Sequence, residues 1–282
     1  GSIGINTGTN NVITLNASQL TAAGGAGGGG TGVQGAGATI SFGDPVSLAT
    51  GGVAISTGAL GAMSSTQLLG LGSTQVGALT TTAVASLSTN HVRALTSDQI
   101  QGFTVAGLNA MGTAQVAALT TAQVKSLTPT LINSMTSAQF GAMENADLTV
   151  LTAEQLANVT SAQIRALSTD QLVALTTSQV PYLTTDVVSK LTVAQMAALT
   201  TAQVVSLTTE QVVSLPTVSL AAMTTEQVAA METRDIEALT PYQLQKLPTS
   251  LLSSLTTAQI VALTTEQVES LPTASLVTLT TQ

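Results

Sequence analysis

Cysteine and tryptophan are both absent from the 282 residues, histidine occurs once, and aromatic side chains make up 2% of the chain. The missing cysteine excludes disulfides and thiol chemistry, which suits an exported bacterial protein at least as well as a cytosolic one. Charge is scarce too, at 7% of residues, where globular proteins carry about 25%. The six bases, Arg93, Lys125, Arg165, Lys190, Arg234 and Lys246, stand singly against 14 acids, giving a net charge of −8. No basic stripe is available to neutralise phosphates, so no nucleic-acid partner is expected. Mean hydropathy is positive, yet no apolar run approaches the ~20 residues that span a bilayer, and no signal-peptide pattern is present. Without large aromatics or charges, the core must be built from small aliphatic side chains and the surface from Thr, Ser, Gln and Ala.

What the chain does contain is one stretch and its copies. Leu199-Thr200-Thr201-Ala202-Gln203-Val204-Val205-Ser206 is followed at once by Leu207-Thr208-Thr209-Glu210-Gln211-Val212-Val213-Ser214. The register holds without insertion through 28 octads from residue 55 to residue 278. Positions one and six are apolar throughout. A fixed period held this long marks a repeat architecture.

Ser or Thr at position two followed by Gln at position five is a capping box. The hydroxyl accepts from the N3 amide, and the Gln oxygen accepts from the cap amide. Apolar residues before the cap and at the fourth helical position form the accompanying hydrophobic staple; these are positions one and six. The octad is thus a complete helix start. Both box partners occur in 15 of the 28 octads. The clearest assign structural helix-capping roles to Thr120 and Gln123, Thr152 and Gln155, Thr176 and Gln179, Thr200 and Gln203, Thr208 and Gln211, Thr224 and Gln227, Thr256 and Gln259, and Thr264 and Gln267.

The departures follow the same logic. Where position two is Pro216, Pro248 or Pro272, position five becomes Ser219, Leu251 or Ser275; where it is Glu144 or Glu232, position five is Asp147 or Asp235. Pro129 and Pro241 fall on the first helical residue, where a missing N–H costs nothing. Glu154, Asp170, Asp186, Glu210, Glu226 and Glu266 occupy position four, in the first turn, near the positive end of the helix dipole. Gly72 and Gly112 precede intact glutamines, and Ala83 and Val187 replace them.

One continuous helix is a poor account, because its apolar stripe would drift roughly 80° per octad. A β-solenoid is the alternative, but positions one and six have opposite parity and would face opposite sides of a strand. The reading is therefore an all-α repeat solenoid or superhelix of short capped helices. Helices of one to two turns do not persist alone, so they must stack and bury positions one and six together.

Three segments are expected. Residues 1–54 form a β-like, Gly-rich head or linker, with Asn11-Val12-Ile13-Thr14-Leu15 as a strand, residues 23–38 as a glycine tract and Asp44-Pro45 as a turn. Residues 55–278 form the octad solenoid. Residues 279–282 open a next repeat, which points to a fragment of something longer or to an end completed by the next molecule.

Catalytic and metal signals fail on inspection, and no cofactor is expected. His91 occupies a glutamine slot and reads as a substituted capping residue. Glu144/Asp147 and Glu232/Asp235 sit on the two cap positions and read as cap substitutions rather than acid/base dyads. Asp44 and Asp147 lack calcium-loop clustering, and the glycine tract has no phosphate-binding pattern. The serines have no histidine base at hand, and Tyr182 and Tyr242 read as surface or packing residues. The expectation is that the protein is not an enzyme.

Leu239-Thr240-Pro241-Tyr242-Gln243-Leu244 resembles the opening of a transcription-activator-like effector repeat, but over a single helix start. That family's longer repeat, base-reading loops and basic inner face have no counterpart here. The LTTxQVxx array from residue 119 to 278, the Thr/Ala/Gly richness, the acidity and the missing cysteine together resemble the large repetitive surface proteins of Gram-negative bacteria, of S-layer, filament or adhesin type. The resemblance implies export and self-assembly outside the cell, at the bacterial surface. The expected partner is the protein itself, joined through residues 1–54 or an exposed end, with surface glycans as further candidates. The alternatives are an adhesin stalk presenting a distal binding domain, and ice or surface binding through Thr-Thr arrays.

Overall fold

A computed structural model describes residues 60, 61 and 63–279. The strand, glycine tract and turn expected within residues 1–54 lie outside the described residues. All regular structure within them is helical: 26 α-helices of four to seven residues and one 3-10 turn, Val180–Tyr182. The strands of the alternative β-solenoid do not occur among the described residues.

Each helix begins where the octad says it should. Residue two of the repeat takes an extended conformation, as at Thr208 (φ −76°, ψ 156°), and the helix Thr209–Ser214 follows it. Where the helix runs six residues, position one ends it and precedes the next cap. Leu127 closes the helix Thr121–Ser126 with its N–H donating to the Val124 carbonyl, and Thr128 caps the helix Pro129–Ser134. Pro129 and Pro241 both open their helices, and Pro216 and Pro248 stand in the cap position without a side-chain cap.

The described chain falls into two compact units that divide between Leu127 and Thr128, although the octad register runs through the division in the sequence. In the first unit, helix Ser73–Gly77 packs on Ser97–Gln101, and that helix on Thr121–Ser126. In the second, Ser137–Gly141 packs on Ser161–Ala166, and Thr185–Ser189 on Thr209–Ser214. Each pair is separated by three octads, so within each unit the chain coils and every helix lies against one a turn away. Positions one and six fill the space between, as with Val92, Leu95, Val124 and Leu127 in the first unit and Val204, Leu207, Val212 and Leu215 in the second. Each such burial is worth about 1.5–3 kcal/mol, and no octad could retain it alone.

Successive turns approach closely at Gly77, Gly102 and Gly141, on positions seven and eight. A Cβ on Gly77 would lie 2.5 Å from the Gly102 carbonyl oxygen, one on Gly141 2.9 Å from that of Ala166, and one on Gly102 would collide with the Ser73 carbonyl. These contacts are backbone, so no side chain can rotate away. Gly102→Ala is therefore expected to destabilise the first unit by about 1–3 kcal/mol through overpacking. Gly61→Ala, with open space around it, is the control in the same thermal denaturation experiment. Among the described residues no helix is long and apolar enough to cross a membrane.

Candidate functional site: the glutamine clamp

The repeated polar side chain at position five is buried, and its burial sets what it must do. Gln203 is 2% exposed, and a primary amide in that setting needs partners for both its oxygen and its two hydrogens. The oxygen accepts from the Thr200 N–H at 3.0 Å, while the Gln203 N–H donates to Thr200 Oγ1 at 3.1 Å, completing the capping box. The amide nitrogen turns the other way. It donates to the carbonyls of Leu172 at 3.1 Å and Leu175 at 2.8 Å, one turn of the coil earlier. One side chain thus starts its own helix and fastens that helix to the turn below.

The same geometry recurs through each unit. In the first, Gln99 donates to Leu68 and Leu71, Gln115 to Val84 and Leu87, and Gln123 to Val92 and Leu95. In the second, Gln195 reaches Ile164 and Leu167, Gln227 reaches Met196 and Leu199, and Gln267 reaches Ile236 and Leu239. The acceptors lie 31 and 28 residues back, on positions six and one, so a turn of the coil takes between three and four octads. The position-six carbonyl already accepts from the next position-one N–H, as the Leu172 carbonyl does from the Leu175 N–H at 3.2 Å. The glutamine gives it a second donor, while the position-one carbonyl lies past the helix end. Serine at position eight adds a second tether: Ser214 Oγ donates to Gln211 O at 2.7 Å and meets Thr185 O at 3.3 Å, and Ser126 and Ser270 do likewise.

The capping pairs at Thr120, Thr152, Thr200, Thr208, Thr224, Thr256 and Thr264 have both halves of the box in place. Thr176 and Gln179 differ. Gln179 Oε1 accepts from the Thr176 N–H at 2.8 Å and from the Thr176 hydroxyl at 3.1 Å, and no α-helix follows, only the 3-10 turn Val180–Tyr182. Pro181 lies inside that octad, where it removes an amide donor and crowds the preceding turn. Even so, Gln179 keeps its downward bonds to Leu148 and Leu151, both 2.9 Å. At Gly72 and Gly112 only the glutamine half of the box forms.

His91 fills its glutamine slot in kind. Nδ1 meets the Ser88 N–H at 3.4 Å and Nε2 meets the Met63 carbonyl at 3.0 Å, 28 residues back. The tautomer with hydrogen on Nε2 satisfies both contacts, with the ring standing in for the two ends of the amide.

The acid pairs depart from the pattern more seriously. Asp147 accepts from the Glu144 N–H at 3.3 Å, but Glu144 offers no side-chain cap in return. Burial pushes the Asp147 carboxyl up to about 6, opposed by the Glu144 N–H and aided by the Glu144 charge. Asp235 is completely buried, and burial raises its carboxyl as well, against the Thr209 hydroxyl and the Arg234 charge, with Glu232 adding to the rise. At position four, by contrast, Glu226 is fully exposed, and its own backbone N–H with the Thr224 and Thr225 hydroxyls holds its carboxyl below the ordinary range.

The remaining candidates stand apart from one another. Tyr182 and Tyr242 are exposed, and the Lys246 ammonium lies 5.4 Å from the Tyr242 ring centre. An open depression beside helix Thr209–Ser214 is lined by Thr185, Thr209, Glu210, Val213 and Ser214, with Glu210 its single ionisable group. No group of three or more metal-ligating side chains occurs among the described residues.

Sequence reasoning found the helix-starting half of position five and missed the tethering half. The signal was present: the capping box admits Glu as readily as Gln, yet Glu never occupies position five in this chain. Of these two only the amide can donate downwards. Comparison with known proteins agrees with this architecture. No curated protein matches the chain, and a family model described as ALTTAQ repeat matches residues 76–105, 92–129 and 153–185, in accord with a helical repeat protein.

Proposed function

We propose that the chain is a structural, self-assembling extracellular protein that builds a filament or layer at the bacterial cell surface, and that it is not an enzyme. The observation carrying this reading is the turn-to-turn interface. Each turn is held to the one below by glutamine amides, carbonyls and aliphatic side chains that repeat from octad to octad, and nothing in those contacts requires the two turns to be covalently continuous. A turn of one molecule can therefore stack on a turn of another with the same chemistry. The scarcity of charge also keeps the desolvation cost of lateral contact low. A head-to-tail contact of this kind propagates.

Negative-stain electron microscopy of the protein, kept free of denaturant and concentrated stepwise, provides the test. Long uniform fibres or a lattice are the expected result. Separate particles of constant size at every concentration would overturn self-assembly and favour the stalk that spaces a distal domain from the cell.

A further inference from the structure

Asp235 holds the glutamine position of its octad but, as an anion, has nothing to donate. Its side chain is fully buried. Oδ1 accepts from the Thr209 hydroxyl at 2.7 Å and stands 3.8 Å from Arg234 Nε, while Oδ2 is buried without a hydrogen-bond partner. On either side along the chain, Gln227 and Gln259 donate to carbonyls 31 and 28 residues earlier. The same steps back from Asp235 lead to the carbonyls of Val204 and Leu207. An anionic carboxylate here would be buried with one oxygen unpartnered and no proton to offer those carbonyls. A carboxylic acid supplies one O–H donor.

We propose that Asp235 is held as the neutral acid and that its Oδ2 proton takes the place of the glutamine amide, tying helix Thr233–Ala238 to the carbonyls of Val204 and Leu207. This layer of the coil is latched in acid and released as the pH rises and the proton leaves for solvent. The helices packed against it are Thr209–Ser214, which brings Glu210, and Thr257–Val261, which brings no ionisable group. Its own octad contributes Glu232, Arg234 and Glu237. Of these only Arg234 favours the anion. Its side chain is 64% exposed and pairs with Glu232 at 2.5 Å, so its charge is both screened and already matched. Burial outweighs it, which agrees with the raised Asp235 carboxyl.

The test uses the intact protein with 13C at the Cγ of its six aspartates, with Asp235→Asn deleting and so assigning one signal. An ordinary aspartate has a pKa of about 3.9 and is mostly ionised at pH 5. The Asp235 signal should still be at the neutral-acid position there; an ionised signal at pH 5 overturns the proposal. The melting temperatures of wild type and Asp235→Asn should coincide in acid and diverge with rising pH in favour of the asparagine variant. A raised folded-state pKa gives stability that is complete below the unfolded value and lost as pH rises through the folded one. Asp147 titrates in both proteins and cancels in the difference. Parallel profiles, or a wild type that gains on the variant with rising pH through an Arg234 ion pair, also overturn the proposal. Should Asp235→Asn not fold, the signal is assigned through the backbone resonances of Asp235, and the criterion at pH 5 decides alone.

Discussion

Gln203→Glu is expected to destabilise the second unit by about 3–5 kcal/mol at neutral pH, the scale of an uncompensated buried charge. The substitution is nearly isosteric and keeps the oxygen that accepts from the Thr200 N–H at 3.0 Å, so the helix start survives. What it removes is the donor pair to Leu172 and Leu175, leaving a carboxylate against two carbonyls. Gln203→Leu is expected to cost less, about 1–3 kcal/mol, because it removes the donors to the Leu172 and Leu175 carbonyls without burying a charge, and the Leu172 carbonyl keeps the Leu175 N–H; Leu131 and Leu251 already occupy this position in other octads. The ranking Gln, then Leu, then Glu separates a tether from a cap, since a pure cap would rank Glu above Leu. Lowering the pH should recover part of the Glu deficit, because the buried glutamic acid has a raised folded-state pKa and its proton restores one donor. Unfolding of a repeat array need not be two-state. The readout is therefore amide hydrogen exchange across helices Thr169–Ala174 and Thr201–Val205, with the urea midpoint beside it.

The octad made the local structure legible and left the coil hidden, for a physical reason. Helix starts depend on contacts within four residues, so Thr200 and Gln203 or Thr208 and Gln211 can be read off as caps wherever they occur. The stacking of turns depends on which octads meet, and a chain of near-identical octads offers the same hydrophobic pattern at every multiple of eight residues. Nothing in Leu172, Leu175 or Gln203 taken singly specifies a separation of 28 or 31; that number comes from the curvature accumulated at each extended cap residue. The acid-for-glutamine exchanges at Asp147 and Asp235 were legible as substitutions. Their consequence was not, since it needs the burial that only the assembled coil supplies. Pro181 was a missed local signal: a proline at position seven lies within the helix proper, and the octad that carries it is the one that forms a 3-10 turn.

Asp147 gives the second large effect, and its sign is fixed by the direction of its shift. Its carboxyl is pushed from 3.8 up to about 6 by burial, and the side chain is 2% exposed. A group with a raised folded-state pKa binds its proton more tightly in the native state, so stability is complete below pH 4 and is lost as pH rises through about 6. A shift of that size corresponds to at most about 3 kcal/mol, at 1.36 kcal/mol per unit. Asp147→Asn keeps an oxygen for the Glu144 N–H, now met at 3.3 Å, and removes the titration. The variant should therefore match the wild type at pH 4, exceed it by up to about 3 kcal/mol at pH 8, and lack the part of the wild type's decline that Asp147 contributes, keeping the part due to Asp235. Glu144→Thr attacks the same slope from the other side. It removes the like charge that helps raise Asp147 and supplies the hydroxyl cap missing from this octad, so the decline should become shallower and the whole curve should rise by about 1 kcal/mol. Urea midpoints measured at half-unit pH steps distinguish the two variants. A wild type whose stability is flat from pH 4 to 8, or rises across that range, would show that Asp147 is ionised throughout and that burial does not govern it.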